Sequence, residues 1–322
     1  MPNVKHAQRA LPIRLRKRFR GALLGLAAGD AVGTTLEFTF PGTFEPITDM
    51  VGGGPFELEP GQWTDDTSMA LCLAASLVEC DGFNGIDQMK RYVFWWREGY
   101  MSSTGTCFDI GNTVSAALSK FERNPAEAFH GSTDPMTAGN GSLMRLAPIP
   151  LAFYNDPEIA IAMAAQSSRT THGAAVAVDA CRYMTALIVG ALNGASKEEL
   201  LSPMYSPVEG YWQKHPLCNE IAEIAAGSFK TKEPPAIRGS GYAAHSLEAT
   251  LWAFHKSNDF VSGVLLAANL GEDADTTAAI FGQLAGAFYG IDGIPFDWVL
   301  KLAKRDEILR LSDNLYEMSH CH

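Results

Sequence analysis

Thr64-Asp65-Asp66-Thr67 and Asp273-Ala274-Asp275-Thr276-Thr277 set paired carboxylates among hydroxyls, each just ahead of a segment with helical apolar spacing. A carboxylate at a helix start serves as an N-cap or complements the helix dipole. Capping uses one such group, and these turns carry two apiece. Were Asp65, Asp66, Asp273 and Asp275 to converge, each pair about 4 Å apart would repel by about 4 kcal/mol at an effective dielectric near 20. A cation must then balance them. Oxygen donors of this type suit Mg²⁺, Mn²⁺ or Ca²⁺ rather than zinc, and the chain has no H-E-x-x-H motif or Cys/His cluster. The run from Asp273 is no EF-hand loop, because Ala278 and Leu284 stand where the turn glycine and the bidentate glutamate belong. Four carboxylates match the charge of two divalent ions, which a bridging carboxylate would hold about 4 Å apart.

Other residues admit both a chemical and a structural reading. Gly139-Asn140-Gly141-Ser142 offers backbone N–H groups and a hydroxyl to a pyrophosphate, but a G-x-G is also an ordinary turn. Arg145, three residues on, either assists there or serves as a structural ion-pair partner. His172 precedes a long apolar helix, where a lone histidine commonly caps. Tyr242, at a helix entrance, can stack on a base or enter the core. Trp95, Trp96 and Trp252 read as packing, and Cys107, with no histidine in its motif, reads as a buried thiol rather than a nucleophile.

The elements that must carry these groups are helical. Apolar residues recur at helical period over Gly21–Gly33, Thr67–Cys80, Ile86–Glu98, Ile110–Arg123, Pro157–Ser167, Gly173–Asn193, Leu217–Ala226, Ser246–His255, Phe260–Asn269, Asp275–Tyr289 and Phe296–Ser319. Gly/Pro-rich stretches at 41–61, 124–140, 202–207 and 230–241 separate them as loops. None is a linker, so the 322 residues are expected to form one mostly helical domain. Gly21, Gly25, Gly29 and Gly33 are spaced by four, as are Gly282, Gly286 and Gly290. A helical glycine costs about 1 kcal/mol against alanine, so such rows call for close backbone approach. The expectation is that both helices lie in the core and bring their N-terminal loops together.

Charge and composition exclude several classes. The net charge is −11, yet residues 1–20 hold seven of the 25 basic residues and no acid. The remaining body is too acidic to favour nucleic acid. The apolar run from Gly21 stops at Asp30, short of a signal core, so 1–20 is read as a solvated basic arm and 21–322 as the domain. Gly173–Gly194 contains Asp179 and Arg182, so no membrane span is expected. Six dispersed cysteines without a C-x-x-C pair fit a reducing, cytoplasmic compartment.

Gly21-Ala-Leu-Leu-Gly-Leu-Ala-Ala-Gly-Asp-Ala-Val-Gly33, Gly61-Gln-Trp-Thr-Asp-Asp-Thr-Ser68, Gly139-Asn-Gly-Ser-Leu-Met-Arg145 and Asp273-Ala-Asp-Thr-Thr-Ala-Ala279 resemble, in order, the motifs of the ADP-ribosylglycohydrolase family. The resemblance runs from about Arg20 to Asp297 and is weakest between Leu200 and Arg238. It implies an all-α fold, a compact single-domain orthogonal helical bundle, with two divalent cations, Mg²⁺ or Mn²⁺, at the bottom of an ADP-ribose cleft. Thr64, Asp65, Asp66, Asp273, Asp275 and Thr276 match that family's metal ligands. Glu37 and Asp109 match acids near the metals and the substrate, and become the candidates for proton transfer. Gly139, Asn140, Gly141 and Ser142 become a phosphate site and His172 a substrate contact, with Tyr242 the candidate for stacking on adenine. The implied reaction is hydrolysis of the bond between ribose C1 and a modified side chain, commonly arginine, through an oxocarbenium-like transition state. The ions would orient the ribose hydroxyls and lower the pKa of a water. The implied partner is an ADP-ribosylated protein or ADP-ribose. A different class is a non-catalytic ADP-ribose binder, or an immunity protein that occludes an ADP-ribosyltransferase toxin. Loss of Asp65, Asp66, Asp273 or Asp275 would mark that class, and all four are present.

Overall fold

The computed structural model describes residues 4–321, with side chains from 13 to 320. Among these residues it contains fifteen α-helices, short 3-10 turns and no strand beyond isolated bridges. In chain order the helices are α1 (Val4–Gly33), α2 (Asp65–Glu79), α3 (Gly85–Glu98), α4 (Asn112–Arg123), α5 (Pro148–Ala152), α6 (Pro157–Arg169), α7 (Ala175–Leu192), α8 (Lys197–Leu200), α9 (Tyr211–Lys214), α10 (Asn219–Ala225), α11 (Ala243–Lys256), α12 (Phe260–Ala268), α13 (Ala274–Tyr289), α14 (Phe296–Lys301) and α15 (Arg305–Cys321). The all-α expectation holds.

The core is organised by α1 against α13. The Gly21–Gly33 half of α1 and the whole of α13 are apolar around most of their circumference, and both are buried without interruption, α13 from Ala274 to Ala287. Their glycine rows face each other. A Cβ added at Gly25 would lie 2.3 Å from the Gly282 carbonyl oxygen, and one at Gly282 would lie 2.0 Å from that of Gly25. Gly21 meets Gly286, Gly29 meets Ala278 and Gly33 meets Ala274 in the same way. The pairing is therefore antiparallel. The expectation that two N-terminal loops would meet is corrected: the C-terminal end of α1 meets the N-terminal end of α13, because contact along a straight row of glycines fixes proximity and leaves direction open.

α11, α12 and α7 pack on the remaining faces of α13, while α15 lies against α1 and α2. α7 is long and apolar enough to cross a bilayer by length and composition, and 83% of that stretch is buried within the protein. Its charges are internal partners: Arg182 pairs with Asp179 at 2.6 Å, and Asp179 accepts the Cys218 backbone N–H at 2.6 Å.

Two further boundaries differ from the sequence expectation. The segment read as a basic arm is helical from Val4, continuous with α1. Phe19 is fully buried against Tyr154 and Tyr316, and Arg20 forms a bidentate pair with Asp313. The segment 296–319, read as one helix, breaks at 302–304, where Lys304 is left-handed at φ 48°. The break is held from outside: Ala303 donates its N–H to Gly61 and accepts the Trp63 indole N–H. That contact fixes the loop entering α2.

Because the α1–α13 contact is backbone on backbone, Gly25→Ala is expected to destabilise the protein by about 1–3 kcal/mol. Gly111→Ala, where an added Cβ meets nothing within 4 Å, is expected to stay within about 0.5 kcal/mol. Urea unfolding of both variants checks this.

Candidate active site

Three helix ends converge. Asp30, one turn before α1 ends, is fully buried and caps α2 from outside: its Oδ1 accepts the Thr64 N–H at 2.8 Å and its Oδ2 the Thr67 N–H at 3.0 Å. Beyond α1 a 3-10 turn at Thr34–Leu36 brings Glu37 onto the start of α13, where its Oε2 accepts the Ala274 N–H at 2.8 Å. Neither Thr64 nor Asp273 caps its own helix with its side chain. Asp30 and Glu37 cap both helices instead, leaving Asp65, Asp66 and Asp273 free of that role.

The carboxylates crowd around few protons. Thr64 Oγ1 lies 3.0 Å from Asp30 Oδ1, 3.0 Å from Asp66 Oδ2 and 3.1 Å from Asp275 Oδ2. One hydroxyl proton cannot serve three acceptors. Asp66 Oδ1 is buried and has no hydrogen-bond partner among the described residues. Ligand atoms of Asp30, Asp66 and Asp275 lie within 4.8 Å of one another, as do those of Glu37, Asp109 and Asp275, so Asp275 belongs to both groups. Among the described residues none of these carboxylates forms an ion pair with Lys, Arg or His.

Burial first, and then mutual repulsion, pushes these acids upward. Asp30 and Asp273 rise to about 7 and Asp109 to about 11, while Asp65, Asp66 and Glu37 are raised well above the carboxylate range. The N-terminal dipoles of α2 and α13 offset part of this repulsion. An orphaned buried carboxylate oxygen and a shared hydroxyl surrounded by acceptors fit a hard divalent cation. The oxygens that converge closely enough to hold one are those of Asp30, Asp66 and Asp275 and those of Glu37, Asp109 and Asp275, with the Thr64 and Thr276 hydroxyls 3.0 and 3.4 Å from Asp66 Oδ2, whereas Asp65 and Asp273 line the cavity outside both groups.

Above them opens a cavity of about 770 Å³ whose wall includes Glu37, Asp65, Asp109, Asp273 and Thr276, together with Gly139, Asn140, Gly141 and His172. The Gly139–Gly141 loop is held from below by Gln283 of α13, which donates to the Leu143 and Met144 carbonyls at 3.0 and 2.8 Å. Arg145 is fully buried and, among the described residues, makes no ion pair. It donates to the Gly141 carbonyl at 3.0 Å and to Thr171 Oγ1 at 2.6 Å, so it braces the loop rather than reaching into the cavity.

Two residues expected as substrate contacts lie outside the cavity wall. Ser142 is buried behind the loop, where its hydroxyl accepts from Ser168 at 2.8 Å. Tyr242 is outside the cavity wall, with its ring edge-on to His245 and its hydroxyl donating to Glu220. Both lie beside residues that do line the cavity, and a motif shared by neighbours does not say which way each side chain turns. Asn140 lines the cavity, but its amide already donates to Asp273 Oδ2 at 2.7 Å and to Ser246 Oγ at 2.9 Å.

Other wall and rim residues carried little signal in the sequence. Phe38 and Phe40 are 63% and 73% exposed at the cavity mouth, and Phe38 begins an aromatic row through Phe56 to Phe108. Phe38, Asp109 and Glu272 are left-handed at φ 59°, 61° and 60°, a conformation that costs a non-glycine residue about 1 kcal/mol or more. Phe38 and Glu272 are locked together, the Phe38 N–H donating to the Glu272 carbonyl at 2.8 Å and the Glu272 N–H to the Thr39 carbonyl at 2.7 Å. Strain of this kind collects where function dictates orientation.

The family model for ADP-ribosylglycohydrolase matches residues 11–321. An ADP-ribosylarginine hydrolase, Tri1, of Pseudomonas putida is 45% identical over 306 residues, covering 95% of this chain and 80% of the relative. An ADP-ribosyl-[dinitrogen reductase] glycohydrolase of Rhodospirillum rubrum is 30% identical, covering 90% and 92%. A solved structure described as an ADP-ribosylglycohydrolase-related protein complex superimposes with a TM-score of 0.83 at 42% identity, covering 95% of this chain and 99% of its own. The chain belongs to the ADP-ribosylglycohydrolase family.

A raised carboxylate pKa favours the folded state at low pH and loses that contribution as pH climbs. For Asp30 and Asp273 the window runs from the ordinary value of 3.8 to about 7. Cations and protons compete for these oxygens. The rise in melting temperature on adding millimolar Mg²⁺ or Mn²⁺ to chelated protein is therefore expected to grow between about pH 5 and about pH 8. Calorimetric scans check this, and a rise independent of pH would contradict it.

Proposed function

We propose that this member of the ADP-ribosylglycohydrolase family is a metal-dependent hydrolase that releases ADP-ribose from modified protein side chains, with arginine the preferred linkage. The observation that carries the reading is the pairing of Glu37 and Asp109 with Asp275 at the floor of a cavity of drug-sized volume. The arginine preference rests on relatives named ADP-ribosylarginine hydrolases at 42–45% identity. The acidic wall supports it, since a guanidinium is a cation. Dispersed free cysteines support a cytoplasmic setting.

Two cations, Mg²⁺ or Mn²⁺, held by Thr64, Asp65, Asp66, Asp273, Asp275 and Thr276, would supply Lewis acidity and fix the ribose hydroxyls. The chain's own groups manage the protons. Carboxylate oxygens of Glu37 and Asp109 lie within 4.8 Å of each other, so the low-energy arrangement has one of the two protonated and the other ionised. The ionised member accepts a proton from water as its oxygen bonds to ribose C1. The protonated member gives its proton to the departing nitrogen as the C1–N bond breaks. Water is consumed, ADP-ribose and the unmodified side chain are released, and the pair ends with the one proton it began with. The Gly139 and Asn140 N–H groups donate to the Thr137 and Gly241 carbonyls at 2.8 and 3.1 Å, which leaves the Gly141 N–H for the pyrophosphate, and Asn140 holds Asp273 in register with it.

Glu37→Gln keeps an oxygen for the Ala274 N–H, so the end of α13 stays capped while the carboxylate is lost. Both Glu37→Gln and Asp109→Asn are expected to lower kcat by about 10²- to 10⁴-fold with the helical circular-dichroism signal unchanged. The assay is release of ADP-ribose from arginine-linked and serine-linked peptides. Turnover of neither peptide by the metal-loaded wild-type protein, or full activity in both variants, would sink the reading.

A further inference from the structure

His172 is 2% exposed, yet its ring forms part of the cavity wall. Its Nδ1 lies 2.8 Å from Thr171 Oγ1. The same oxygen receives an N–H from Arg145 Nη2 at 2.6 Å, and a guanidinium can only donate. Among the described residues Thr171 Oγ1 has no other acceptor within reach, so its single proton goes to His172 Nδ1. Nδ1 is then an acceptor, and a neutral ring must carry its hydrogen on Nε2. Nε2 has no hydrogen-bond partner among the described residues. It lies beside the glycine loop, where a Cβ added at Gly141 would sit 3.2 Å away and one at Gly139 3.5 Å away.

Arg145 is itself immobilised. It is fully buried, donates to the Gly141 carbonyl and lies over the Tyr92 ring at 4.6 Å. Burial, and then the Arg145 charge, hold His172 down at about 3, so the ring stays neutral at working pH.

We propose that Arg145 and Thr171 are positioning residues that lock His172 as a neutral Nε2–H donor aimed at an oxygen of bound ADP-ribose. The proposal rests on the reading of the cavity as an ADP-ribose site. It accounts for a buried arginine that forms no ion pair among the described residues and heads a relay of fixed donors running from Arg145 through Thr171 to His172 and ending in the cavity. A ring able to change tautomer would present a lone pair to the ligand oxygen part of the time. This one presents a proton always.

¹⁵N-imidazole spectra of the ligand-free protein read the tautomer directly, with His172→Gln identifying the signal. The expected result is a protonated Nε2 and a bare Nδ1, unchanged from about pH 8 to about pH 5. Thr171→Val removes the relay hydroxyl and Thr171→Ser keeps it. Val is expected to let a fraction of the ring take the Nδ1–H tautomer and to weaken ADP-ribose binding and raise KM about five- to tenfold, with kcat changed less. Ser is expected to restore both. A wild-type ring protonated on Nδ1 or titrating near neutrality would overturn the proposal, whether or not the Val variant folds. So would a folded Val variant with unchanged tautomer and affinity. Failure of the wild-type chain to bind ADP-ribose overturns this proposal and the functional reading together, whereas binding without hydrolysis overturns the functional reading alone.

Discussion

Carboxylates repel, and repulsion grows as water is removed; the structure around α1, α2 and α13 is shaped by that conflict. Asp30, Asp65, Asp66 and Asp275 are nearly or fully buried and Asp273 is half-buried, and no basic side chain among the described residues neutralises them. What the protein supplies is partial relief. Two helix N-termini point at the cluster, Thr64 has one proton to give to one of three nearby oxygens, and Asn140 occupies one oxygen of Asp273. The relief is incomplete, as the partnerless Asp66 Oδ1 makes plain. A site so arranged is stable in proportion to the cationic charge it holds, which links folding to metal binding.

Holding several acids in one volume requires a rigid frame, and the glycine rows provide it. Side chains between α1 and α13 would keep the helices apart and move Glu37 off the end of α13. Direct backbone contact from Gly21 to Gly33 fixes the two helices along their length. At one end of that contact lie Asp30, Glu37, Asp273 and Asp275. The conformational cost of helical glycine is thus offset by the placement of the chemistry. On the opposite wall, Gln283 of the same α13 holds the loop that follows Gly141. One helix therefore sets the floor of the cavity and part of its side.

Much of this was legible in the sequence, and the reasons differ by residue. Paired aspartates in two helix-starting turns signal a cation because capping needs fewer charges than they carry. Spacing by four reveals the glycine rows. Asp30 was visible only as the residue that interrupts an apolar run, since a cap supplied by a distant helix leaves no local pattern. Phe38, Arg238 and Glu272 come to the cavity through loop conformation, which periodicity does not encode. Ser142 and Tyr242 sit within the right motifs, but their side chains turn to other partners. The break between α14 and α15 depends on Gly61 and Trp63, which are remote in the chain.

These helix ends form a cradle suited to divalent metal, and crystals of the protein grown or soaked with Mn²⁺ and measured for anomalous scattering give the decisive test. Mn²⁺ peaks bounded by Asp66 and Asp275 are predicted, with Asp66 Oδ1 among the ligands. Anomalous density confined to other parts of the surface, with the Asp66 and Asp275 oxygens sharing protons instead of metal, would contradict the cradle.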